Sequence, residues 1–95
     1  MIVKLIKTNN LSPYKFIAQL EDGKRIGFGR KGYRDFILTN DEKLKRNYIA
    51  RHKVREDWGD KRTAGFWARW ILWNKPTLDE SIKDVENRFN LKIII

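Results

Sequence analysis

Cysteine is absent from this sequence of 95 residues, and histidine occurs only once, as His52. Without cysteine the chain can form neither disulfide bonds nor thiolate metal sites, and the composition favours an intracellular setting. A single histidine also argues against a zinc site built from one chain. No apolar run approaches the ~20 residues that span a bilayer, and the N-terminus lacks the apolar run of a signal peptide. We therefore expect no metal site and no membrane partner.

Internal repeats and low-complexity segments are also missing. The length fits one domain, which we place at residues 1–95. A domain of this size buries a little over ~60% of the surface of its unfolded chain. It can therefore fold without disulfides or bound metal.

Positive charge is in excess, and it is concentrated in the middle third of the chain. The formal net charge is +9, and the pI is near 10. Residues 24–56 hold eleven Lys and Arg against four Asp and Glu, whereas the other 62 residues hold ten against eight. A regional excess in a small domain is typical of a surface that meets a polyanion or an acidic partner. Among nucleic acid, acidic protein and anionic membrane, the charge favours nucleic acid.

The first third of the sequence predicts three β-strands. Residues 1–7 are rich in β-branched and aliphatic side chains, and residues 14–28 form a hairpin pattern around a turn at Gly23. A three-residue loop with Gly23 in the left-handed conformation would pair Phe16 with Phe28 and place the apolar side chains on one face. We therefore expect that register rather than a two-residue Asp-Gly turn.

Two helices are predicted from capping boxes, in which a threonine is followed three residues later by a glutamate. Thr39 opens a basic helix that we expect to run from about Asn40 to about Arg55. Thr77 opens a later helix, for which Asn90 is the expected C-cap. The apolar stripe of this later helix consists of Leu78, Ile82, Val85 and Phe89.

Between these helices, residues 63–73 hold three of the four tryptophans and a single charge. A helix that is apolar nearly all round is buried. We expect Thr63 to cap this helix. Helical spacing places Phe66, Trp70 and Trp73 on one stripe, with Trp67 and Ile71 beside it and Leu72 and Ala68 on the opposite side.

A second interpretation keeps part of this tryptophan-rich region at the surface. Trp58 or Trp67 would then stack on bases or anchor a partner protein, and Arg69 would contact a phosphate.

A final strand over residues 91–95 completes the element order βββαααβ. Three isoleucines exposed at a free terminus would favour aggregation, so we expect this strand to join the sheet. The predicted class is α+β. It consists of a small antiparallel sheet, built from the N-terminal strand, the hairpin and the C-terminal strand, packed against three helices.

The segment from Gly27 to Gly32 matches the pattern G-x-G-x-x-G of dinucleotide-binding sites. That pattern requires a parallel strand before it and a helix directly after it, and no βαβ unit is available here. We therefore expect no nucleotide cofactor and no other cofactor. Two compatible interpretations remain. The glycines let the chain leave the sheet where a Cβ would clash, or backbone N–H groups beside Arg30 and Lys31 bind phosphates.

Asp35, His52 and Glu56 are the residues that could carry chemistry. His52 and Glu56 are four residues apart and share a helix face, so they could form an acid–base pair or, with Asp35, hold one Mg²⁺ in a nuclease. Phosphodiester cleavage usually requires several metal-binding carboxylates or paired histidines, and the sequence has neither cluster. A contact that fastens the helix end is the structural alternative. We expect no catalytic residues, and a metal-dependent nuclease is the third hypothesis.

Three stretches of the sequence resemble one family of small basic proteins. They are GFGxxGYxDF from Gly27, YIARHxxxEDW from Tyr48 and TAGFWxRWxLWxKPTL from Thr63. The family is encoded by large double-stranded-DNA viruses of eukaryotes and their relatives, and its function is unknown. The resemblance implies a viral source and a location inside an infected host cell, in a virus factory or the nucleus, with packaging in the virion. It implies no activity and no functional residues.

These observations favour a non-enzymatic protein that binds the phosphate backbone of double-stranded DNA, rather than RNA, with little sequence specificity. A helix with six basic residues can lie along a duplex backbone or in a groove. The expected phosphate contacts are Arg30, Lys31, Arg34, Lys45, Arg46, Arg51, Lys53 and Arg55. The hypothesis depends on the glycine-rich loop and the basic helix forming one positive surface. The alternative is a structural role in the virion, in which the basic face binds acidic capsid or core proteins.

Overall fold

A computed structural model describes residues 1–95. One four-stranded sheet packs against the helices. The strands are β1 (Ile2–Lys7), β2 (Tyr14–Gln19), β3 (Arg25–Arg30) and β4 (Lys92–Ile94). Their order in the sheet is β3-β2-β1-β4. The α+β class and the order βββαααβ are confirmed, with one additional short helix, which we did not predict, at Phe36–Thr39.

The direction of β4 differs from the antiparallel arrangement that we predicted. β2 is antiparallel to β1 and β3, but β4 pairs with β1 in parallel, so the sheet is mixed. A helix precedes β4 in the chain. A helical connection lets a strand enter a sheet in the same direction as its neighbour, which a tight turn cannot do.

The helices are α1 (Phe36–Thr39), α2 (Glu42–His52), α3 (Ala64–Trp67) and α4 (Leu78–Phe89). The last residue of α3 leads directly into a π-helical turn at Ala68–Leu72. No helix has both the length and the apolar character needed to cross a membrane.

The hairpin of β2 and β3 has the predicted register. Phe16 lies opposite Phe28, and Ala18 lies opposite Ile26. Gly23 has a φ of +92°, as the three-residue loop requires. The rings of Phe16 and Phe28 stack with their centroids 5.8 Å apart. The apolar face of the hairpin therefore points towards the helices.

The start of the basic helix differs from the prediction. Thr39 is the last residue of the short helix α1, and Asn40 follows with a φ of +50°. This left-handed residue ends α1, so Thr39 cannot cap the next helix, and the side chain of Asp41 caps α2 instead. α2 also ends at His52 rather than at Arg55.

The tryptophan-rich segment begins as predicted, because the Thr63 hydroxyl accepts a hydrogen bond from the Phe66 amide at 3.2 Å. Its buried face is different. The buried side chains are Phe66, Trp67, Ile71 and Leu72. Trp70 and Trp73, which we expected on one stripe with Phe66, are only half-buried. The π-helical turn, in which the Trp73 amide donates to the Ala68 carbonyl at 3.1 Å, adds a residue and so rotates the faces that follow.

The last helix and strand agree with the prediction. The Thr77 hydroxyl accepts a hydrogen bond from the Glu80 amide at 3.2 Å and also bonds to the Glu80 carboxylate at 2.9 Å. Asn90 has a φ of +52° and ends α4. Ile93 of β4 is buried beside β1, so the final strand completes the sheet.

The core lies between the sheet and the helices. It includes Val3, Leu5, Ala18, Leu20, Ile26, Phe28, Phe66, Trp67, Ile71, Leu72, Ile82, Val85, Leu91 and Ile93. Trp67 is the largest of its fully buried side chains. Because Leu72 belongs to this core and contacts the end of β3, the core also positions the glycine-rich turn.

Replacing Gly29 by alanine is expected to lower the free energy of unfolding by about 2–4 kcal/mol. Gly29 has a φ of +72°, and a Cβ at this position would lie 2.5 Å from Leu72 Cδ1. Urea denaturation measures the loss. Gly32→Ala is the matched control, since Gly32 has a φ of +88° but open space around it, and only the backbone penalty applies. Equal losses in the two variants would contradict the Leu72 contact.

Candidate nucleic-acid interface

A cleft of about 570 Å³ separates the turn that follows β3 from the last turns of α2. We call it the cationic cleft. Its rim is formed by Arg30, Arg34, Arg51 and His52, and its floor by Leu44, Tyr48, Leu72 and Trp73. The three arginines are exposed, whereas Tyr48 and Leu72 are buried. The glycine-rich turn and the basic helix therefore face each other across one concave surface.

The turn that follows Arg30 and carries Arg34 is held in place by Lys15 of β2. The Lys15 ammonium donates to the Tyr33 carbonyl at 2.7 Å and to Asp35 Oδ2 at 2.5 Å. Asp35 is buried and caps α1, because its Oδ1 accepts a hydrogen bond from the Leu38 amide at 2.9 Å. Asp35 is also the one carboxylate that lines the cleft, and Lys15 offsets its charge.

Stacked aromatic rings form part of the floor of the cleft. The Tyr48 ring stacks on Trp73 with 4.4 Å between centroids and a 4° angle between planes, and on His52 at 4.3 Å. Burial raises the pKa of the Tyr48 hydroxyl above its ordinary value, and the Glu56 carboxylate adds to this effect. Tyr48 is therefore a neutral phenol at pH 7 and places no negative charge in the cleft.

The arginines of the cleft have no acidic partners. The ion pairs of the protein are Met1–Glu21, Lys15–Asp35, His52–Glu56, Arg62–Asp22 and Arg88–Asp84. Arg30, Arg34 and Arg51 occur in none of them. Arg55, which is also unpaired, lines a shallow depression together with Arg51 and His52. The positive surface thus continues from the cleft to Arg55.

The other four predicted phosphate contacts lie outside this surface. Lys31 donates to a backbone carbonyl in the loop after β1. The Lys45 ammonium donates to the Asn74 carbonyl at 2.6 Å, and burial lowers its pKa. α2 turns ~100° per residue, so Arg46, two residues after Leu44, points away from the cleft, and Lys53 points the same way. The structure therefore brings together half of the predicted set.

Trp67 is not a surface anchor, which corrects one of the predictions. It has no exposed surface, and its indole N–H donates to the Lys61 carbonyl at 2.7 Å. Trp58 is half-buried, and its indole N–H donates to Glu56 Oε2 at 2.7 Å. Its ring also lies parallel to Tyr48, with 6.4 Å between centroids. Trp58 therefore packs beneath the floor of the cleft, beside Tyr48.

Arg69 is engaged within the protein and does not line the cleft. Its guanidinium lies 4.3 Å from the centre of the Trp70 ring and 5.4 Å from that of Trp58. One terminal nitrogen donates to the Trp73 carbonyl at 2.8 Å, while the buried Nε has no partner. Burial lowers the pKa of Arg69. These contacts give Arg69 a role in packing the tryptophans, and the geometry adds no support for a phosphate contact at this residue.

The three residues of the nuclease hypothesis do not form a metal-binding group. No cluster of three or more His, Asp or Glu side chains that could hold a metal ion occurs in the structure. Asp35 is occupied by Lys15 and the cap of α1. His52 Nδ1 lies 3.2 Å from Glu56 Oε1, and the second oxygen of Glu56 accepts from Trp58. This is the helix-end contact that we considered as the structural alternative.

The model of a family of unknown function, DUF5754, matches residues 4–52, which is just over half of the chain. The chain belongs to this family. The DUF5754 match runs from β1 to the last residue of α2, so it contains the whole rim of the cationic cleft, whereas the tryptophan-rich segment lies outside it. No curated protein and no solved structure matches the chain.

Within the DUF5754 segment, Tyr33 is a cleft residue that our sequence-based prediction missed. It lines the cleft, and 69% of its surface is exposed. Its position between Gly32 and Arg34 could have marked it as a candidate binding residue. An aromatic residue flanked by glycine and basic residues is typical of single-strand binding surfaces.

Proposed function

We propose that this protein binds double-stranded DNA through the rim of the cationic cleft, without enzymatic activity and with little sequence specificity. The proposal depends on one observation, that four arginines that form no ion pair lie on one continuous surface. Arg30 is the last residue of β3 and Arg34 lies in the turn that follows, whereas Arg51 and Arg55 come from the end of α2 and the residues after it. The nearby carboxylates of Asp35 and Glu56 pair with Lys15 and His52 instead, so the charge of these arginines is available to a polyanion.

Arginine suits this role because its planar guanidinium can donate two parallel hydrogen bonds to one phosphate. Each phosphate that is neutralised also releases bound counterions, which supplies binding free energy without base contacts. The net charge of +9 adds long-range attraction to DNA.

The sequence resemblance to small basic proteins of large double-stranded-DNA viruses supports a viral setting for this proposal. In that setting the protein would bind the viral genome inside an infected host cell and would be packaged with it in the virion.

The alternative role, docking on acidic capsid or core proteins, has less support. It would use the same arginines, but the two tryptophans that we expected as its anchors are engaged within the protein. Trp67 is buried, and Trp58 is bonded to Glu56. Nuclease chemistry has less support as well, because the carboxylates of Asp35 and Glu56 already have partners.

A salt titration of DNA binding tests the proposal. Four phosphate contacts predict a slope of log affinity against log salt of about −3.6, so affinity should fall roughly a hundredfold between 50 and 200 mM salt. Gel-shift titrations with two duplexes of unrelated sequence measure the slope and should give similar affinities. Lack of binding to either duplex at low salt would reject the proposal.

A further inference from the structure

The cationic cleft has two features that backbone binding alone does not use, a concave shape and an apolar floor. Its volume of about 570 Å³ lies within the range of pockets that enclose a small ligand, roughly 300–1,000 Å³. Proteins that bind a duplex commonly insert a protruding helix or strand into a groove. A cleft instead receives a group that protrudes from the nucleic acid.

The composition of the cleft matches the two halves of a nucleotide. The rim arginines are suited to a phosphate, whereas the floor, with Leu44, Tyr48, Leu72 and Trp73, is suited to a flat apolar ring. In a paired duplex the bases are stacked and enclosed, so they cannot reach such a floor. An unpaired nucleotide can place its base and its phosphate in the cleft together.

One aromatic ring of the cleft remains free to stack on a base. Tyr48 already stacks on His52 and Trp73. Tyr33, by contrast, is 69% exposed and takes part in no aromatic stacking within the protein. Its backbone is held by the hydrogen bond from Lys15 to the Tyr33 carbonyl. The backbone of Tyr33 is therefore anchored beside the cleft, and its exposed ring is accessible.

From these observations we infer that the cationic cleft binds one unpaired nucleotide of a DNA strand. The base stacks on Tyr33, and its phosphates contact Arg30, Arg34 and Arg51. This inference rests on the proposed function, and it names the part of a DNA molecule that the cleft selects, a single-stranded overhang or a base displaced from the duplex.

Three DNA probes of equal duplex length test the inference by fluorescence anisotropy. The first is blunt, the second has a short single-stranded overhang, and the third has an abasic overhang with the same number of phosphates. The overhang with bases is expected to bind the wild-type protein at least about fivefold more tightly than the abasic overhang, as one stacked base provides. Tyr33→Ala should remove this difference, and Tyr33→Phe, which keeps the ring, should retain it.

The outcomes separate this inference from the proposed function. Affinity of Tyr33→Ala for the blunt duplex should stay within about twofold of wild type, because the arginines are unchanged. Equal wild-type affinity for the two overhangs, or a preference that persists in Tyr33→Ala, would overturn the inference while leaving duplex binding intact. Failure to bind any of the three probes would overturn both. Because Tyr33 is exposed, its replacement is not expected to prevent folding.

Discussion

Replacing Arg30, Arg34 and Arg51 together by glutamine is expected to lower the affinity for double-stranded DNA by about 100- to 1,000-fold at 0.1 M salt. Each arginine lost removes one neutralised phosphate and the counterions that it releases. The slope of log affinity against log salt should therefore change from about −3.6 to about −0.9, the value for one remaining contact. Gel-shift titration at several salt concentrations measures both quantities.

A triple variant of equal charge provides the control for this experiment. Arg46, Lys53 and Lys83 are exposed and do not line the cleft. Their replacement by glutamine removes the same three charges, so it lowers the long-range attraction but leaves the proposed contacts in place. We expect the salt slope of this control to stay close to that of the wild-type protein. Similar losses in the two triple variants would show that net charge, and not the cleft, determines binding.

Replacing Trp67 by alanine is expected to lower the free energy of unfolding by about 3–5 kcal/mol. Trp67 is the largest fully buried side chain and packs against Phe66 and Phe28, with ring centroids 4.9 and 6.4 Å away. The variant loses this burial, leaves a cavity and leaves the Lys61 carbonyl without its donor. Domains of this size are stable by about 5–15 kcal/mol, so the variant should be marginally folded at 25 °C. Urea denaturation followed by circular dichroism measures the change.

Trp58→Ala distinguishes a core tryptophan from a supporting one. Trp58 is half-buried and contributes one hydrogen bond, to Glu56, and a parallel contact with Tyr48. Its loss should cost no more than about 2 kcal/mol. If Trp58→Ala destabilised the protein as much as Trp67→Ala, the assignment of Trp67 as the centre of the core would be wrong.

Features that depend on neighbouring residues were predicted correctly. The register of the β2–β3 hairpin follows from Gly23 and from the alternation around it, because a shift of one residue would turn every apolar side chain to the opposite face. The start and end of α4 follow from Thr77 and Asn90, since caps act within one turn of the helix. In both cases a few adjacent residues contain all the relevant chemistry.

Features that depend on a choice between equivalent local signals were predicted less well. Thr39 and Asp41 are both good helix caps, and the left-handed conformation of Asn40 selects Asp41. The residues of the tryptophan-rich segment fit an α-helix, but a π-helical turn over Ala68–Leu72 rotates the segment. Regular α-helical spacing placed Trp70 and Trp73 on one stripe with Phe66, whereas the structure leaves both half-buried and buries Leu72, which we expected on the opposite side.

The sequence by itself determined the α+β class, the element order, the helix caps of the last half and the excess positive charge of the middle third. Tertiary structure alone decided which of those charges are available. Arg30 and Arg51 are 21 positions apart, and only the packing of α2 against the rest of the fold places them on one cleft, while the same packing turns Lys45 inward and Arg46 away. The physical reason is that the charge and the capping chemistry of a residue depend on its own side chain. Whether two distant residues share a surface depends on the distance between their segments, which only the packing of the core determines.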